Sequence, residues 1–495
     1  MKFKLREYQE KTKKDIEAFL ENKSANKGII VKPVGSGKSI DTAIISDLSN
    51  SKTLVIQPNI ELLNQNLEKA RSFGLDPSIY SASANIKNIS DLTYATPQTV
   101  AKNIHHFKGF KTVVVDECHY GMTNTLKKSK ISSKGIFNKA LEEINPYKIM
   151  GLTATPIQLT NTRMDGSVLK MINRSRRSFW YGADIFHVTQ ISDVKDEYWA
   201  DIEYRHFGDV DSKFLKLNST GSEFTNESII ESYEYNNTNE RILEEYEVLK
   251  SEGKKSIIIF VPDLINAEIL VNRHPDFNII SSYTSAKDRK QLISDFKSGK
   301  ISVLVNVGIL TTGFDHPELD AIILARNTNS FGLYYQIVGR IVRPIILPDK
   351  SIYKKKAVVV DLTTNYERFG KIEDITFEKH DYTGGFAMWN NNHIMTGVPI
   401  GNWKTPSREQ VIAQYNNPQP KLQNNSNKVV TKTLLEDSIK IRFGKYNGMD
   451  LEDVYKKDKK YVMWMYSNFE WKSDAQLKLK IGIEKLIHGD IQVQE

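Results

Sequence analysis

The sequence predicts an α/β protein with two tandem parallel-sheet domains and a small α+β module after them. Short apolar runs alternate with helical stretches, and this alternation occurs twice along the chain. It fades between the two copies, and a polar stretch rich in asparagine and proline (416–427) precedes the last segment. The expected parts are a first domain at 1–160, a connection or insertion at 161–250, a second domain at 251–370, an irregular extension and linker at 371–435, and the module at 436–495.

The predicted strands are the apolar runs. In the first domain they are GIIVKPV, TLVIQP, DLTYATP, TVVVDE and KIMGLTATP, and in the second SIIIFVP, FNIISSY, SVLVNVG, AIILA and AVVVDL. Strands that are buried on both faces of a parallel sheet are apolar throughout. Helical stretches such as IELLNQNLEKARSF separate the runs, which indicates parallel strands joined by helical crossovers. In the last segment, Asn447-Gly448 is a hairpin signal.

Composition excludes several classes of protein. The 495 residues are 40% hydrophobic and 26% charged, as expected for a globular protein of more than one domain. No apolar run is long enough to span a membrane, and the first residues lack the apolar core of a signal peptide, so we expect no membrane partner. The single cysteine, Cys118, excludes internal disulfides and a cysteine-built zinc site. A net charge of +8 is compatible with an acidic partner such as nucleic acid, although charge alone does not decide this.

A glycine loop directly after the first strand is the strongest motif. It consists of Gly35, Ser36, Gly37, Lys38 and Ser39. Glycines let backbone amides curl around phosphates, and the following helix directs its positive end at them. Lys38 is expected to reach the β and γ phosphates of a nucleotide, and the Ser39 hydroxyl to hold Mg²⁺. The usual pattern begins with glycine, whereas this chain has Lys32 at that position.

An acidic pair, Asp116 and Glu117, ends the strand TVVVDE. An aspartate at a strand end beside a phosphate loop can bind Mg²⁺, directly or through water. The adjacent glutamate can then polarise the water that attacks the γ-phosphate. A solvated acidic edge is the alternative interpretation of such a pair.

Seven motifs occur in an order that resembles the superfamily-two helicases, in which two RecA-like domains hold ATP between them. The motifs are LREYQ, GSGKS, TPQ, DECH, GLTATP, LTTGFD and QIVGRIVR, within residues 3 to about 365. The segment from SVLVNVGILTTGFDHPELD to LYYQIVGRIVRP most resembles RadD-like repair helicases, with phage UvsW-like branch-migration helicases as near neighbours. RadD-like proteins have cysteine-rich C-terminal sequence, and this chain does not. The resemblance therefore covers the motor and not the last segment.

The resemblance implies a role for each motif. Arg6 and Gln9 would read adenine, and Gly313 and Asp315 would contact the nucleotide from the second domain. The residues expected to grip nucleic acid are Gln57, Pro58, Thr96, Gln98, Thr311 and Thr312. The residues expected to couple hydrolysis to strand binding are His119, Thr153 and Thr155.

Two arginines, Arg340 and Arg343, are three positions apart on a predicted helix, so both side chains would project from one face. If they face the ATP bound to the other domain, they can act as arginine fingers on the charge that develops at the γ-phosphate. Gln336, one helical turn before Arg340, would join them. Alternation of grip as the cleft closes on ATP and reopens after hydrolysis would produce stepping.

The function implied is that of an ATP- and Mg²⁺-dependent DNA helicase or translocase, which acts on single-stranded, forked or branched DNA in replication, recombination or repair. An RNA helicase and the motor subunit of a restriction system are the alternatives, although we find no acidic, acidic, lysine nuclease pattern outside the ATP site. We expect a monomer in the cytoplasm of a bacterial or phage-infected cell, with recombination or replication proteins as candidate partners.

Strand separation needs a wedge, and the span from Asp315 to Gln336 is too short for a long hairpin. Two aromatic segments are candidates: the segment 382–403, and the residues Arg174, Arg176, Arg177, Phe179 and Trp180. Alternatively, Trp180, Trp389 and Trp403 are core anchors. The lysine-rich loop 127–139 is either solvated or in contact with phosphates.

The last segment, IRFGKYNGMDLEDVYKKDKKYVMWMY, faintly resembles modules appended to some exonucleases and phage repair enzymes. Its lysines, with Phe443, Tyr446 and Trp464, would form a DNA-binding face. A fold-stabilising or protein-docking module is the alternative.

Overall fold

A computed structural model describes most of the chain in two compact units, Met1–Pro418 and Gln419–Glu495. The described residues are 5–81, 86–119, 136–162, 166–176, 178–219, 221–310, 314–347, 349, 351–379, 385–391, 393–397, 441, 446, 449–458, 461–462, 483 and 486. None of the helices in this part of the chain combines the length and apolarity needed to cross a bilayer.

The first sheet of the larger unit has eight strands among the described residues, in the order β10-β1-β7-β6-β2-β5-β3-β4. They are β1 (Lys27–Val31), β2 (Thr53–Ile56), β3 (Ser78–Ser81), β4 (Ile86–Lys87), β5 (Leu92–Ala95), β6 (Thr112–Asp116), β7 (Lys148–Thr153) and β10 (Asp184–Val188). All neighbours are parallel except β3 and β4. The helices of this region are α1 (Glu7–Glu21), α2 (Lys38–Leu48), α3 (Ile60–Ser72), α4 (Pro97–Lys102) and α5 (Ile136–Ile144).

The second sheet has six strands in the described part of the chain, all parallel, in the order β11-β18-β15-β12-β14-β13. They are β11 (Asp201–His206), β12 (Ile257–Phe260), β13 (Phe277–Ser281), β14 (Val303–Val307), β15 (Ala321–Leu324) and β18 (Lys356–Asp361). The helices are α6 (Lys195–Tyr198), α7 (Asn226–Tyr235), α8 (Thr238–Ser251), α9 (Leu264–Arg273), α10 (Ala286–Lys297), α11 (Phe331–Val338) and α12 (Asn365–Phe369). The predicted α/β class with two tandem parallel sheets is confirmed.

Among the described residues, three small antiparallel sheets accompany the two large ones. They pair β8 (Ile157–Thr162) with β9 (Gly166–Met171), β16 (Ile345–Ile346) with β17 (Ile352–Tyr353), and β19 (Ile375–Lys379) with β20 (Phe386–Asn390) and β21 (His393–Ile394). Single 3₁₀ turns occur at Ile104–Phe107, Ile172–Arg174, Ile191–Asp193 and Ile372–Asp374.

The interval 161–250 is not simply a connection, because it contributes to both large sheets. β10 pairs with β1 in the first sheet, and β11 pairs with β18 in the second. Both are edge strands whose side chains are only partly buried, so neither is an uninterrupted apolar run. The chain crosses between the sheets at residues 189–200.

The interval 371–435 is also more regular than predicted, because β19, β20 and β21 occupy part of it. This small sheet packs against the first half of the unit. We call the part up to the crossing at 189–200, with the first large sheet, the first half, and the part after it, with the second large sheet, the second half. The Phe377 backbone exchanges two hydrogen bonds with the Gln190 side chain, at 2.7 and 3.1 Å, and the Gly397 amide donates to the Leu169 carbonyl at 2.8 Å. The stretch 398–435 lies outside the described residues.

Two of the aromatic wedge candidates, Trp180 and Trp389, are core residues, whereas Phe179 is partly buried. Trp180 is fully buried, and its indole N–H donates to the Cys118 carbonyl at 2.9 Å. Trp389 is also buried, within β20. Neither ring can stack on a base without leaving the core, so the wedge hypothesis is wrong for these two residues. Arg177, Trp403 and most of the loop 127–139 lie outside the described residues.

In the unit Gln419–Glu495, the described residues include the helix Leu451–Lys457. A small cluster of buried side chains surrounds it, formed by Ile441, Tyr446, Leu451, Val454, Tyr455, Val462 and Ile483. The Tyr446 hydroxyl donates to Asp458 at 2.8 Å. Tyr446 therefore belongs to the core of this unit and not to an exposed stacking face. Phe443, Trp464 and the Asn447-Gly448 hairpin signal lie outside the described residues.

Candidate active site

The glycine loop forms the expected turn between β1 and α2. Gly35 and Gly37 have φ angles of 73° and 89°, in the left-handed region that glycine adopts without strain. α2 begins at Lys38, directly after Gly37. A Cβ atom on Gly37 would lie 3.2 Å from the Gln9 amide nitrogen, so the loop passes close to the N-terminal helix. Gly35, Gly37, Lys38 and Ser39 line a cavity at the start of α2, where an anion can bind.

Lys38 and Glu117 form an ion pair inside this cavity. Burial opposes both charges, but the carboxylates of Glu117 and Asp116 raise the pKa of Lys38. In the same way, the Lys38 ammonium lowers the pKa of Glu117 against the effect of burial. Glu117 has a φ of 45°, which costs a non-glycine residue about 1 kcal/mol. Both groups are therefore charged, and they lie together beside the glycine loop.

Asp116 and Ser39 are joined by a third side chain, that of Asn66 on α3. The Ser39 hydroxyl donates to the Asn66 carbonyl oxygen at 2.6 Å, and the Asn66 amide donates to Asp116 at 3.1 Å. Burial and the neighbouring Glu117 charge raise the pKa of Asp116 to about 6. Hydroxyl and carboxylate oxygens are the donors that Mg²⁺ prefers, so this pair fits the expected ion.

Lys32, which replaces the first glycine of the usual pattern, has a structural explanation. Its side chain is fully buried, and its ammonium lies 2.6 Å from Asp41 on α2. The same ammonium lies 5.3 Å from the Tyr8 ring centroid, and the Tyr8 hydroxyl donates to the Ser36 carbonyl at 3.0 Å. Lys32 therefore stabilises the glycine loop through Asp41 and Tyr8, and it does not line the cavity.

The N-terminal pair Arg6 and Gln9 lies beside the glycine loop. Gln9 is buried, and its side-chain oxygen accepts from the Arg6 amide at 3.0 Å. The Arg6 guanidinium stacks over the Tyr198 ring at 3.6 Å. Gln9 therefore lies next to the glycine loop, but neither residue lines the cavity, and a contact with adenine stays a prediction.

Three side chains of the second half line the same cavity: Gln336, Arg340 and Arg343. Arg343 pairs with Asp315, and Arg340 donates to the Phe314 carbonyl at 2.8 Å. Burial lowers the pKa of each arginine to about 10, so both are charged at neutral pH. The cavity is therefore lined by the carboxylates of Asp116 and Glu117 and the lysines Lys38 and Lys69 from one half, and by two arginines from the other.

The predicted helix beneath these arginines is shorter than expected. α11 ends at Val338 and Gly339 caps it, so Arg340 and Arg343 follow the helix in a turn. Pro344 disfavours a helical conformation at Arg343, so a helix that continues through Arg343 is disfavoured. Both side chains still reach the cavity, although the argument from a shared helical face is wrong.

His119 lies at the centre of a small group from both halves. Its ring nitrogens lie 2.7 Å from the Thr153 hydroxyl, 3.3 Å from the Thr155 hydroxyl and 3.4 Å from the Gln336 amide. Burial lowers the pKa of His119 to about 4, so the ring is neutral at pH 7. The structure thus brings the proposed coupling residues together, in contact with a residue of the second half.

The residues predicted to contact nucleic acid are less accessible than such a contact requires. Gln57 is fully buried, and the Thr96 hydroxyl is engaged with Thr99 at 2.9 Å. Both follow central strands, β2 and β5, whose ends are covered. Pro58 is partly exposed and Gln98 is exposed, so contacts at this edge would involve these two residues. Thr311, Thr312 and Gly313 lie outside the described residues.

Trp199, which no sequence motif marked, links the loop to the second half. Its indole N–H donates to the Val34 carbonyl at 3.1 Å, and the next amide, that of Ala200, donates to the Val342 carbonyl at 2.6 Å. Val342 directly precedes Arg343. Asn66 was missed in the same way. The roles of Trp199 and Asn66 depend on contacts between segments that are distant in sequence, and such contacts leave no local sequence pattern.

Three stretches of the chain match known families. Residues 2–158 match the type III restriction enzyme res subunit family, and residues 238–344 match the helicase conserved C-terminal domain. Residues 441–470 match the exodeoxyribonuclease X-like C-terminal family, in agreement with the resemblance expected of the last segment. The first two matches contain the glycine loop and the two arginines.

Individual relatives are distant. IRC3 of Saccharomyces cerevisiae, whose name describes an ATP-dependent helicase, is 24% identical over 260 residues, 51% of this chain and 35% of the yeast protein. The DNA 3'-5' translocase XPB2 of Sulfurisphaera tokodaii is 23% identical over 395 residues, 73% of this chain and 82% of XPB2. A fragment of an HsdR subunit of a type I restriction enzyme from Vibrio vulnificus has a similar fold. Its TM-score is 0.52 at 19% identity, over 74% of this chain and 65% of that fragment. The chain thus spans about a third of IRC3 and less than two thirds of the Vibrio fragment.

Proposed function

We propose that the chain is a superfamily-two DNA helicase or translocase, which couples ATP hydrolysis to nucleic-acid unwinding, because its two sheet domains match the res subunit family and the helicase conserved C-terminal domain. Its proposed substrates are forked or branched DNA in replication, recombination or repair. One observation carries the proposal: Lys38 and Glu117 from one half and Arg340 and Arg343 from the other line a single cavity.

Nucleotide binding would rearrange the ion pair in this cavity. A triphosphate seated on the glycine loop offers Lys38 a stronger anion than Glu117. Lys38 would then turn to the β and γ phosphates, and Glu117 would be free to accept a hydrogen bond from the attacking water. Mg²⁺ held by Ser39 and Asp116 would neutralise charge on the phosphate oxygens.

The arginines would stabilise charge on the γ-phosphate from the opposite side. Hydrolysis removes the group that bridges Lys38 to Arg343 and so weakens the contact between the two halves. Two further connections lie at this point: Trp199 contacts the glycine loop, and its neighbour Ala200 contacts Val342. The position of the loop is thereby linked to that of the arginines, as a motor of this kind requires.

Several observations favour DNA as the track. XPB2 is described as a DNA translocase, the sequence motifs most resemble RadD-like and UvsW-like repair enzymes, and the chain carries a net charge of +8. The res subunit match and the fold shared with the Vibrio fragment favour a second candidate, the motor of a restriction system. Cleavage of DNA by the purified protein in the presence of ATP would select that candidate.

Removal of the unit Gln419–Glu495 tests the assignment to branched DNA. A chain that ends at Pro418 retains every described residue of the cavity, so we expect its ATPase on single-stranded DNA to persist. We expect fork unwinding to fall and its salt dependence to flatten, by a log–log slope of roughly 0.7 to 0.9 for each lost phosphate contact. The measurement is fork unwinding beside ATPase, at two salt concentrations, for both chains.

Two results would count against this assignment. Unchanged fork unwinding and salt dependence would show that the removed unit does not contact DNA. Loss of the single-strand ATPase as well, in a folded protein, would show that the unit is part of the motor.

A further inference from the structure

Asn66 lies between Ser39 and Asp116 in the proposed nucleotide cavity. It lies on α3, a helix whose first turn is fixed by the Asn59 side chain, which accepts from the Leu62 amide. This cap stabilises the helix by about 1 kcal/mol. Asn66 is 7% exposed, and its carboxamide lines the cavity beside Ser39 and Asp116.

The two hydrogen bonds of Asn66 use both ends of its carboxamide. The oxygen accepts from the Ser39 hydroxyl at 2.6 Å, and the nitrogen donates to Asp116 Oδ2 at 3.1 Å. The other Asp116 oxygen accepts from the Glu117 amide at 2.9 Å. Asn66 therefore holds in register two side chains that arrive from different elements, α2 and the end of β6.

Few other side chains could make both of these hydrogen bonds without adding a charge. A carboxamide both accepts and donates without carrying charge. A carboxylate would place a third negative charge beside Asp116 and Glu117, and an apolar side chain would remove the hydrogen bond that Asn66 donates to Asp116 Oδ2. The chemistry of the position thus matches a neutral group that orients two oxygen ligands.

We propose that Asn66 is a positioning residue for the Mg²⁺ that accompanies the nucleotide, acting through Ser39 and Asp116. The inference depends on the proposed function, since it assumes that Mg²⁺-nucleotide binds in this cavity. Partners that orient metal ligands typically change metal affinity 10- to 100-fold when they are replaced. Asn66 should therefore determine the Mg²⁺ requirement and leave metal-free nucleotide binding unaffected.

The test is the affinity of the full chain for a fluorescent ADP analogue, measured in EDTA and across a Mg²⁺ titration. Asn66→Ala is compared with Asn64→Ala, an exposed asparagine on the same helix. Asn66→Leu keeps the branched shape of the side chain and removes its hydrogen-bonding groups, which separates loss of the carboxamide from loss of packing. Thermal unfolding of each variant verifies that it is folded.

We expect both Asn66 variants to need 10- to 100-fold more Mg²⁺ for half-maximal enhancement of binding. Their affinity in EDTA should stay within about twofold of the wild type, and Asn64→Ala should match the wild type throughout. An unchanged Mg²⁺ requirement in folded Asn66 variants would overturn the inference. So would an equal loss of affinity with and without Mg²⁺, because Asn66 would then contact the nucleotide. A wild-type protein that binds no nucleotide would overturn the proposed function itself.

Discussion

Arg343→Ala is expected to lower nucleic-acid-stimulated ATP turnover by roughly a thousandfold. The guanidinium reaches the cavity from the second half of the unit and is charged there, so its loss leaves developing charge on the γ-phosphate without a partner. ATP binding should be affected much less, because the glycine loop and Lys38 are untouched. Steady-state turnover and ATP affinity are measured on the same preparation.

The fold should tolerate this change. Asp315, the partner of Arg343, is still approached by Gln65 at 3.4 Å and Lys69 at 3.8 Å. Arg273→Ala is the matched control, since Arg273 forms a surface ion pair with Glu240 on the same half and should keep normal turnover. If ATP affinity collapsed while turnover per bound ATP stayed normal, Arg343 would bind substrate and would not be a finger.

Lys38→Ala is expected to abolish ATP hydrolysis, because it removes the lysine at the start of α2, which is placed to neutralise the phosphates. The change also leaves Glu117 without its ion-pair partner. Glu117 remains beside His119, at 3.5 Å, and its side chain is partly exposed, so we expect the protein to fold.

The measurement pairs hydrolysis with thermal unfolding. Lys52→Ala serves as the control, since Lys52 is an exposed lysine that pairs with Asp91 away from the cavity. Wild-type hydrolysis by a folded Lys38→Ala protein would contradict the assignment of the glycine loop.

The central strands could be predicted because they are buried on both faces. β1, β2 and β6 each contain three consecutive branched apolar residues next to turn residues, and such short runs indicate buried strands. The edge strands β10 and β11 could not be predicted in this way, since each is partly exposed. The small sheet at 375–394 was not predicted because β19 mixes apolar with polar residues and β21 has only two residues, although β20 contains the apolar run FAMW.

The site was predictable where a residue belongs to a local motif. The glycine loop, the acidic pair and the two arginines lie far apart in sequence but line one cavity. Asn66 and Trp199 escaped prediction because their roles come from tertiary contacts alone. Gln57 shows the opposite error, since its motif suggested an exposed contact and its side chain is buried.

The central claim is that nucleic acid controls ATP hydrolysis in a cavity shared by the two halves. The most direct test is the steady-state ATPase rate of the full chain without nucleic acid, with single-stranded DNA, with forked DNA and with RNA of the same sequence. The account predicts slow hydrolysis alone, strong stimulation by DNA, weaker stimulation by RNA, and no activity in Lys38→Ala. Hydrolysis that none of these nucleic acids changes would contradict it.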